Sequence, residues 1–279
     1  MKLRILFLAV FLFTRGLIAG AQTFKVASFN VRFDNPRDSG NLWVNRAPVV
    51  ANLIRYHDFD IFGVQEALKN QLNYISTALP EYAIYGKGRD DGKDAGEHSS
   101  IYFKKDMFKL LKSGDFWLSA TPDVPGKGWD ATCCNRICSW VYLENTKSKK
   151  RFYVFNVHFD HQGVVARKES GKLMIQKMKE IAGNAPVLLT GDFNGNRESE
   201  WYQTLANSGI VRDSYADVKY PYENNSSSNG FRVPRGMGVI DHIFMSKHFS
   251  ASKWGILTDT YFGKFPSDHF PVAATVTLK

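Results

Sequence analysis

Short apolar segments bounded by Gly, Pro, Asn or Asp recur along this chain, and they predict more strands than helices. Residues 23–33 alternate apolar and polar positions, as a strand with one buried face does. Several later segments are short and almost entirely apolar, which is typical of buried strands. The further predicted strands are residues 60–65, 82–85, 99–103, 137–143, 152–157, 186–190, 239–245, 254–259 and 271–278.

Four longer segments are predicted helices: residues 43–56, residues 68–79 before Pro80, residues 164–182, and residues 200–207 with Ser199 as the expected N-cap. Residues 86–98 and 116–135 are Gly-rich and weakly periodic, so we expect long ordered loops there. Because helices interrupt the strands only occasionally, we predict two sheets packed face to face with helices outside.

The first residues have the pattern of a secretory leader. Lys2 and Arg4 precede the apolar residues 5–13, and Ala19-Gly20-Ala21 resembles a cleavage site. We therefore expect a signal peptide over residues 1–21, a single domain over residues 22–279, and a periplasmic or secreted protein. An uncleaved anchor is the alternative, but the apolar run is too short to span a bilayer. No Cys lies near the cleavage site, so a lipid anchor is not expected, and neither is a transmembrane segment elsewhere.

The net charge of the chain bears on which kind of substrate it can bind. The formal net charge of the full chain is +9. The leader contains three basic residues and no acidic one, so its removal leaves +6. This mild excess suits an anionic substrate but does not indicate a long nucleic acid. The densest basic run, residues 147–151, lies between two predicted strands and is interpreted as a solvated hairpin turn.

All three cysteines, Cys133, Cys134 and Cys138, fall within six residues. An exported protein can oxidise a pair of them, and Cys134–Cys138 is one candidate pairing. A zinc site would need a fourth ligand, and no His lies nearby in the sequence. We expect the cluster to be structural.

The most informative stretch is Gly191-Asp192-Phe193-Asn194, directly after the predicted strand 186–190. Strand alternation places Asp192 and Asn194 on the same side of the chain as it leaves the sheet. Such a carboxylate and amide can orient a water and bind an oxyanion. Alone, the sequence would better suit a turn with Asx side chains bonded to the backbone.

Polar side chains also lie at the ends of five other predicted strands: Asn30, Glu66, His158, Asp241, and Asp268 with His269. Any one of them could be an ordinary strand end, but together they favour one shared pocket. Its oxygen ligands without thiolate suit Mg²⁺ or Mn²⁺. Histidines beside carboxylates suit acid–base chemistry.

With these motifs in order, the chain resembles the endonuclease/exonuclease/phosphatase superfamily from about residue 23 to the C-terminus. The resemblance implies an α/β fold, specifically a four-layer αββα sandwich of two mostly antiparallel sheets, and metal-dependent cleavage of phosphate esters. The segments that carry it are Ser28-Phe29-Asn30, Gln65-Glu66, Asn156-Val157-His158, Gly191-Asp192-Phe193-Asn194, Ile240-Asp241-His242-Ile243-Phe244 and Ser267-Asp268-His269-Phe270-Pro271.

The resemblance also implies roles. Glu66 corresponds to the principal metal ligand, with Asn30 and Asp268 beside it. Asp192 corresponds to the residue that orients or deprotonates the attacking water. Asn194 would bind a phosphate oxygen, and His269, kept positive by Asp241, would contact the scissile phosphate.

Two further positions bear on the branch and the substrate. His158 matches a His of the deoxyribonuclease-like branch, where the abasic-site branch has Tyr. Arg32 replaces an Asp of the abasic-site branch, which removes a ligand, adds a phosphate contact and argues against abasic-site specificity. Arg136, before the strand 137–143, is a candidate phosphate fork, and an ordinary salt bridge is an equal alternative.

We therefore expect an exported, divalent-metal-dependent phosphodiesterase or phosphatase that uses an activated water and acts as a monomer. The absence of a basic stripe favours a small or short substrate, such as a sugar or inositol phosphate. A phospholipid head group is a further alternative, and nucleic acid remains open as a partner through a secreted nuclease of the same fold. A non-catalytic binding protein is the alternative from a different class.

Overall fold

The computed structural model describes residues 22–233, 236 and 238–279, and the predicted leader lies outside these residues. Two mixed sheets of six strands each pack face to face between four helices, so the predicted four-layer sandwich is confirmed. None of the helices in the described ranges combines the length and apolarity that crossing a bilayer requires.

The first sheet has the order β11-β12-β1-β2-β4-β3. Strands β1 and β2 run parallel, and the other neighbours are antiparallel. Helices α1 and α2 cover its outer face through a shared apolar cluster. The elements are β1 (Gln22–Asn30), α1 (Trp43–His57), β2 (Ile61–Gln65), α2 (Lys69–Ala78), β3 (Tyr82–Tyr85), β4 (Ile101–Lys104), β11 (Phe249–Ile256) and β12 (Val272–Leu278).

The second sheet has the order β5-β6-β7-β8-β10-β9, with β7 and β8 parallel and the other pairs antiparallel. Helices α3 and α4 cover its outer face through a second apolar cluster. A third apolar cluster lies between the two sheets and contains residues of both. The elements are β5 (Phe108–Trp117), β6 (Ile137–Asn145), β7 (Arg151–His158), α3 (Val164–Ala182), β8 (Val187–Asp192), α4 (Glu200–Ala206), β9 (Arg212–Asp213) and β10 (Asp241–Met245).

The structure departs from the sequence-based elements at several points; among them, β9 was not predicted, and β11 covers Phe249–Ile256 where a strand over 254–259 was expected. Strand β5 was not predicted, and Phe116 and Trp117 belong to it rather than to a loop. Strand β8 continues through Gly191 to Asp192 instead of ending at Gly191. Ser199 is the N-cap of α4, but its hydroxyl donates to the Asn196 carbonyl and does not cap the helix with its side chain.

A buried polar bridge joins the two sheets beneath the ends of the parallel strands. The Asn156 amide on β7 donates to the carbonyls of Val64 (2.8 Å) and Ser100 (3.0 Å) in the first sheet. Its Oδ1 accepts from Gln65 (2.7 Å) and from the Thr190 hydroxyl on β8 (3.0 Å). Every hydrogen-bonding group of this amide is therefore satisfied, which a buried polar side chain requires.

Candidate active site

A cavity of about 350 Å³ opens at the edge where the parallel strands of both sheets end. Strands β1, β7 and β8 end there at Asn30, His158 and Asp192, and Glu66 follows β2 directly. The antiparallel β10 begins there with Asp241. The described residues that line the cavity are Arg32, Phe33, Glu66, Arg89, Glu97, Cys134, Arg136, His158, His161, Asp192, Asn194 and His269.

All ten residues selected from the sequence belong to this region. Asn30, Asp241 and Asp268 do not line the cavity but lie behind it, in contact with residues that do. The other seven line it: Arg32, Glu66, Arg136, His158, Asp192, Asn194 and His269.

The buried pair Asp241 and His269 lies against Asp192. His269 Nδ1 is 2.9 Å from Asp241 Oδ2, and its Nε2 is 3.8 Å from Asp192 Oδ2. Burial opposes charge on the imidazole, but the Asp241 and Asp192 carboxylates raise the pKa of His269 well above its usual value. His269 is therefore an imidazolium at neutral pH, with Nε2 directed toward Asp192 and the cavity.

Asp192 is a buried carboxylate with several polar neighbours. Its Oδ2 accepts from Asn30 Nδ2 (3.0 Å), and its Oδ1 accepts from the Asn194 backbone N–H (2.9 Å). Burial and the nearby Asp241 carboxylate raise the pKa of Asp192 to about 7. A carboxylate near its pKa at neutral pH can accept a proton from a water.

His158 lies between Asp192 and a residue that the sequence analysis missed, Glu97. His158 Nε2 is 3.5 Å from Asp192 Oδ2, and Nδ1 is 3.9 Å from Glu97 Oε2. Burial, together with the cationic Arg136 and Arg89, lowers the pKa of His158 well below its usual value, so the ring is neutral. Burial and the Glu66 carboxylate raise the pKa of Glu97 to about 7.

Three residues at the cavity have positive backbone φ angles without being glycine. These are Arg32 at 56°, Glu66 at 65° and Asn194 at 45°. Such a conformation costs of order 1 kcal/mol or more, and it persists where surrounding contacts enforce it. The Phe33 N–H donates to Glu66 Oε2 (3.2 Å), and Asn194 Nδ2 donates to the Phe159 carbonyl (3.0 Å).

Glu66 and Asp268 offer two carboxylates to a hard divalent cation. Asn30 lies beside Glu66, with its Nδ2 donating to Glu66 Oε1 (3.0 Å) and its Oδ1 accepting from the Arg32 backbone N–H (3.0 Å). The Arg32 guanidinium lies 3.7 Å from both Glu66 Oε2 and Asp268 Oδ2, so both carboxylates are within reach of one positive group. Asp38 binds that guanidinium through two hydrogen bonds, of 2.8 and 3.1 Å. Because Arg32 donates its hydrogen bonds to Asp38, neither site carboxylate is hydrogen-bonded to it, although Glu66 accepts from Asn30 Nδ2 (3.0 Å) and from the Phe33 N–H (3.2 Å).

Further cationic groups face the same cavity. The buried Arg136 donates from Nη2 to His161 Nδ1 at 2.9 Å, whereas its Nε and Nη1 have no hydrogen-bond partner in the described structure. Its nearest carboxylates are 3.6 Å (Asp160) and 4.0 Å (Glu97) away. Arg89 donates to Glu97 at 2.5 Å. Arg136 therefore lies beside two carboxylates without a direct hydrogen bond to either, and its Nε and Nη1 are buried.

Arg89, Glu97, His161, Phe33 and Cys134 were missed as site residues. Arg89 and Glu97 belong to the loop 86–98, and Cys134 to the predicted loop 116–135, both of which the sequence marked only as whole segments. The cysteine pairing also differs from the candidate pairing, because the disulfide joins Cys133 to Cys134 and Cys138 is free and buried in β6. Side chains of adjacent strand residues point to opposite faces, and the position of Cys138 on β6 turns it into the core.

Comparison with known proteins decides the family. The profile of the Endonuclease/Exonuclease/phosphatase family matches residues 27–269. The chain belongs to this family. It is accordingly a phosphoric ester hydrolase, of a family whose members use divalent metals.

Two members with solved structures share the whole fold, and a viral protein is a relative by sequence. A mannosyl-6-phosphatase of Bacteroides thetaiotaomicron is 45% identical, with a TM-score of 0.88 over 91% of this chain and 99% of that one. Another family protein of the same bacterium is 44% identical, with a TM-score of 0.90 over 93% and 99% of the two chains. A protein of Acanthamoeba polyphaga mimivirus is 31% identical over 89% of this chain and 98% of the viral one.

Proposed function

We propose that this chain is an exported, Mg²⁺- or Mn²⁺-dependent phosphatase that removes phosphate from a small sugar phosphate. The observation that carries the proposal is the cavity of about 350 Å³, in which a cationic His269, a buried Asp192 and the guanidinium of Arg136 converge. That volume suits a small ligand. The similarity to a mannosyl-6-phosphatase supports a sugar as the group that carries the phosphate.

The residues of this chain divide the work of hydrolysis. Asp192 accepts a proton from the attacking water, while Asn30 and the Asn194 backbone fix its carboxylate. His269 donates from Nε2 to a phosphate oxygen that gains charge in the transition state, and Asp241 maintains its protonation. Arg136, which lines the same cavity, binds the remaining phosphate oxygens.

Glu66, Asn30 and Asp268 would hold the divalent cation. When bound, that cation supplies electrostatic stabilisation for the charge on the phosphate oxygens. The donor set contains oxygens and no thiolate, which favours Mg²⁺ or Mn²⁺. The His158 ring is neutral and its Nε2 lies 3.5 Å from Asp192 Oδ2. It can therefore donate a hydrogen bond to that carboxylate without placing a positive charge beside it.

The test is phosphate release from mannose 6-phosphate by purified protein, with Mg²⁺ and with EDTA. We expect turnover with Mg²⁺ and none with EDTA, and loss of turnover in Asp192→Asn. Bis-p-nitrophenyl phosphate and a single-stranded oligonucleotide are the comparison substrates. Faster cleavage of either would favour the diesterase or nuclease alternative, and no hydrolysis of any of them would favour a binding protein.

We also propose that the enzyme is exported and acts as a monomer. The basic residues, apolar run and small-residue site within residues 1–21 support export. The Cys133–Cys134 disulfide is compatible with an oxidising compartment. All the residues assigned a role lie within one chain, so the chemistry requires no second copy.

A further inference from the structure

The loop between β5 and β6 runs along one side of the cavity. It contains the disulfide between Cys133 and Cys134, which are neighbours in sequence. Cys133 is exposed, whereas Cys134 is partly buried and lines the cavity. The disulfide is therefore a part of the cavity wall and not a cross-link between distant elements.

The wall around the cavity is otherwise almost entirely polar. Among the described residues that line it, Phe33 and Cys134 are the only ones without a polar or charged side chain. The Arg32 guanidinium covers the Phe33 ring at 4.5 Å from its centroid, so that ring already has a partner. A sugar ring presents C–H groups as well as hydroxyls, and Cys134 is the remaining apolar surface for them. Sulfur is polarisable and adapts well to such contacts.

Contacts on both sides fix the segment that carries the disulfide. The Leu118 N–H donates to the Arg136 carbonyl at 2.8 Å and closes the base of the loop. The Asp130 carboxylate accepts from the backbone N–H groups of Val165 (3.0 Å) and Ala166 (2.6 Å) at the start of α3. The Cys133–Cys134 bond closes a small ring that includes the peptide bond between the two residues. This bond leaves the pair little conformational freedom, so the sulfur surface is rigid when the substrate arrives.

We propose that the Cys133–Cys134 disulfide is a specificity-determining wall that supports the apolar face of the sugar whose phosphate is removed. The inference rests on the proposed function, because it assigns a position to the sugar of that same substrate. Arg136, two residues after Cys134, binds the phosphate, and the disulfide contacts the ring attached to it. The wall thereby selects for the organic group of the ester, while Arg136 and the residues at the strand ends bind the reacting phosphate.

The experiment compares mannose 6-phosphate with methyl phosphate, which has no sugar ring to contact the disulfide. For wild type and the double variant Cys133→Ala/Cys134→Ala, kcat/KM is measured for both substrates. We expect the ratio of the two kcat/KM values to fall about tenfold in the variant, mainly through a higher KM for the sugar phosphate. Wild type reduced with a phosphine should show the same fall, and the variant treated with the same phosphine is its matched control.

The outcomes separate the two proposals. If wild type does not favour mannose 6-phosphate over methyl phosphate, the sugar-phosphatase function fails before any cysteine is changed. If wild type favours mannose 6-phosphate and the variant keeps the same ratio of kcat/KM values, the proposed role of the disulfide is contradicted and the proposed sugar-phosphatase function is not. An equal loss for both substrates would also overturn the wall, because it would indicate general loosening of the loop. Thiol titration of denatured wild type should give one thiol per chain, and three would exclude the bond.

Discussion

At the scale of single residues, the site consists of buried charges whose neighbours decide their protonation. Glu66 and Asp268 are the two carboxylates expected to hold the cation, and the Arg32 guanidinium lies 3.7 Å from each of them. We predict that Glu66→Gln weakens Mg²⁺ binding and lowers turnover at least about a hundredfold, because an amide replaces a charged oxygen ligand. Isothermal titration with Mg²⁺ measures the first effect and phosphate release the second. Unchanged Mg²⁺ affinity would remove Glu66 from the metal site.

A second prediction concerns Asp241, whose carboxylate raises the pKa of His269. In the proposed mechanism the active form of His269 is the imidazolium, which is lost as the pH rises through its pKa. Asp241→Asn removes that support and lowers the pKa. The basic limb of the pH–rate profile should therefore move to lower pH, and kcat should fall about a hundredfold at neutral pH.

A double-mutant cycle tests whether Asp241 and His269 act as one unit. Asp241→Ala and His269→Ala should together cost little more than either alone, because each change already disables the pair. Losses that simply multiply would show that Asp241 is not coupled to His269. Circular dichroism of each variant controls for misfolding, since Asp241 is the first residue of β10.

The sequence predicted residues within or next to apolar strands and missed Arg89 and Glu97, which lie on a long loop. Asn30, His158 and Asp192 end strands, and alternation along a strand determines which side chains point the same way. Glu97 and Arg89 lie on a long loop, where no periodicity relates position to direction. Their convergence with His158 depends on how the loop folds back over the sheet edge, which is a tertiary property.

At the scale of the elements, the Asn156 bridge holds the strands of the two sheets in register beneath the site. Glu66 follows Gln65, and His158 and Asp192 each lie two residues after a member of the bridge. We predict that Asn156→Ala lowers the free energy of unfolding by about 2–3 kcal/mol, because it leaves buried partners unsatisfied. It should also lower kcat of the folded protein, since the strand ends lose their common support.

Asn145 offers a matched control for that prediction. It is also a buried asparagine with several hydrogen bonds, but it lies at the far end of β6, where it accepts from the turn residues Lys147 and Ser148. Asn145→Ala should destabilise the protein without changing kcat. Denaturant unfolding and kcat measured on the same preparations distinguish the two variants. Equal kcat in both would mean that the bridge only stabilises the fold.

Strand β5 shows why one element could not be predicted. It is an edge strand that pairs only with β6, and its register shifts between Leu110 and Lys112. The irregularity breaks the alternation of apolar and polar residues on which the prediction of strands depends. The longest helix, α3, was predicted with its observed bounds, because its apolar spacing continues without interruption.

At the scale of the whole molecule, the predicted signal peptide bears on where the protein acts. We predict cleavage before Gln22, so that the mature chain begins with the residue that pairs with Leu278 at the start of β1. N-terminal sequencing of protein from the native host gives the answer. Intact Met1 on protein recovered from the cytoplasm would contradict the expected export.

The parallel pairs β1–β2 and β7–β8 place half of the reacting groups on each sheet, whereas the loops 86–98 and 118–136 add the residues around them. The groups proposed to act on the phosphate therefore lie mostly at strand ends, whereas the loops add Arg136 and the surface proposed to contact the rest of the substrate. Insertions or exchanges in these two loops would alter which molecule enters without disturbing the strands. A fold of this kind can acquire new substrates through changes in its loops. Exchanging these two loops between relatives should transfer substrate preference while the hydrolytic step stays the same.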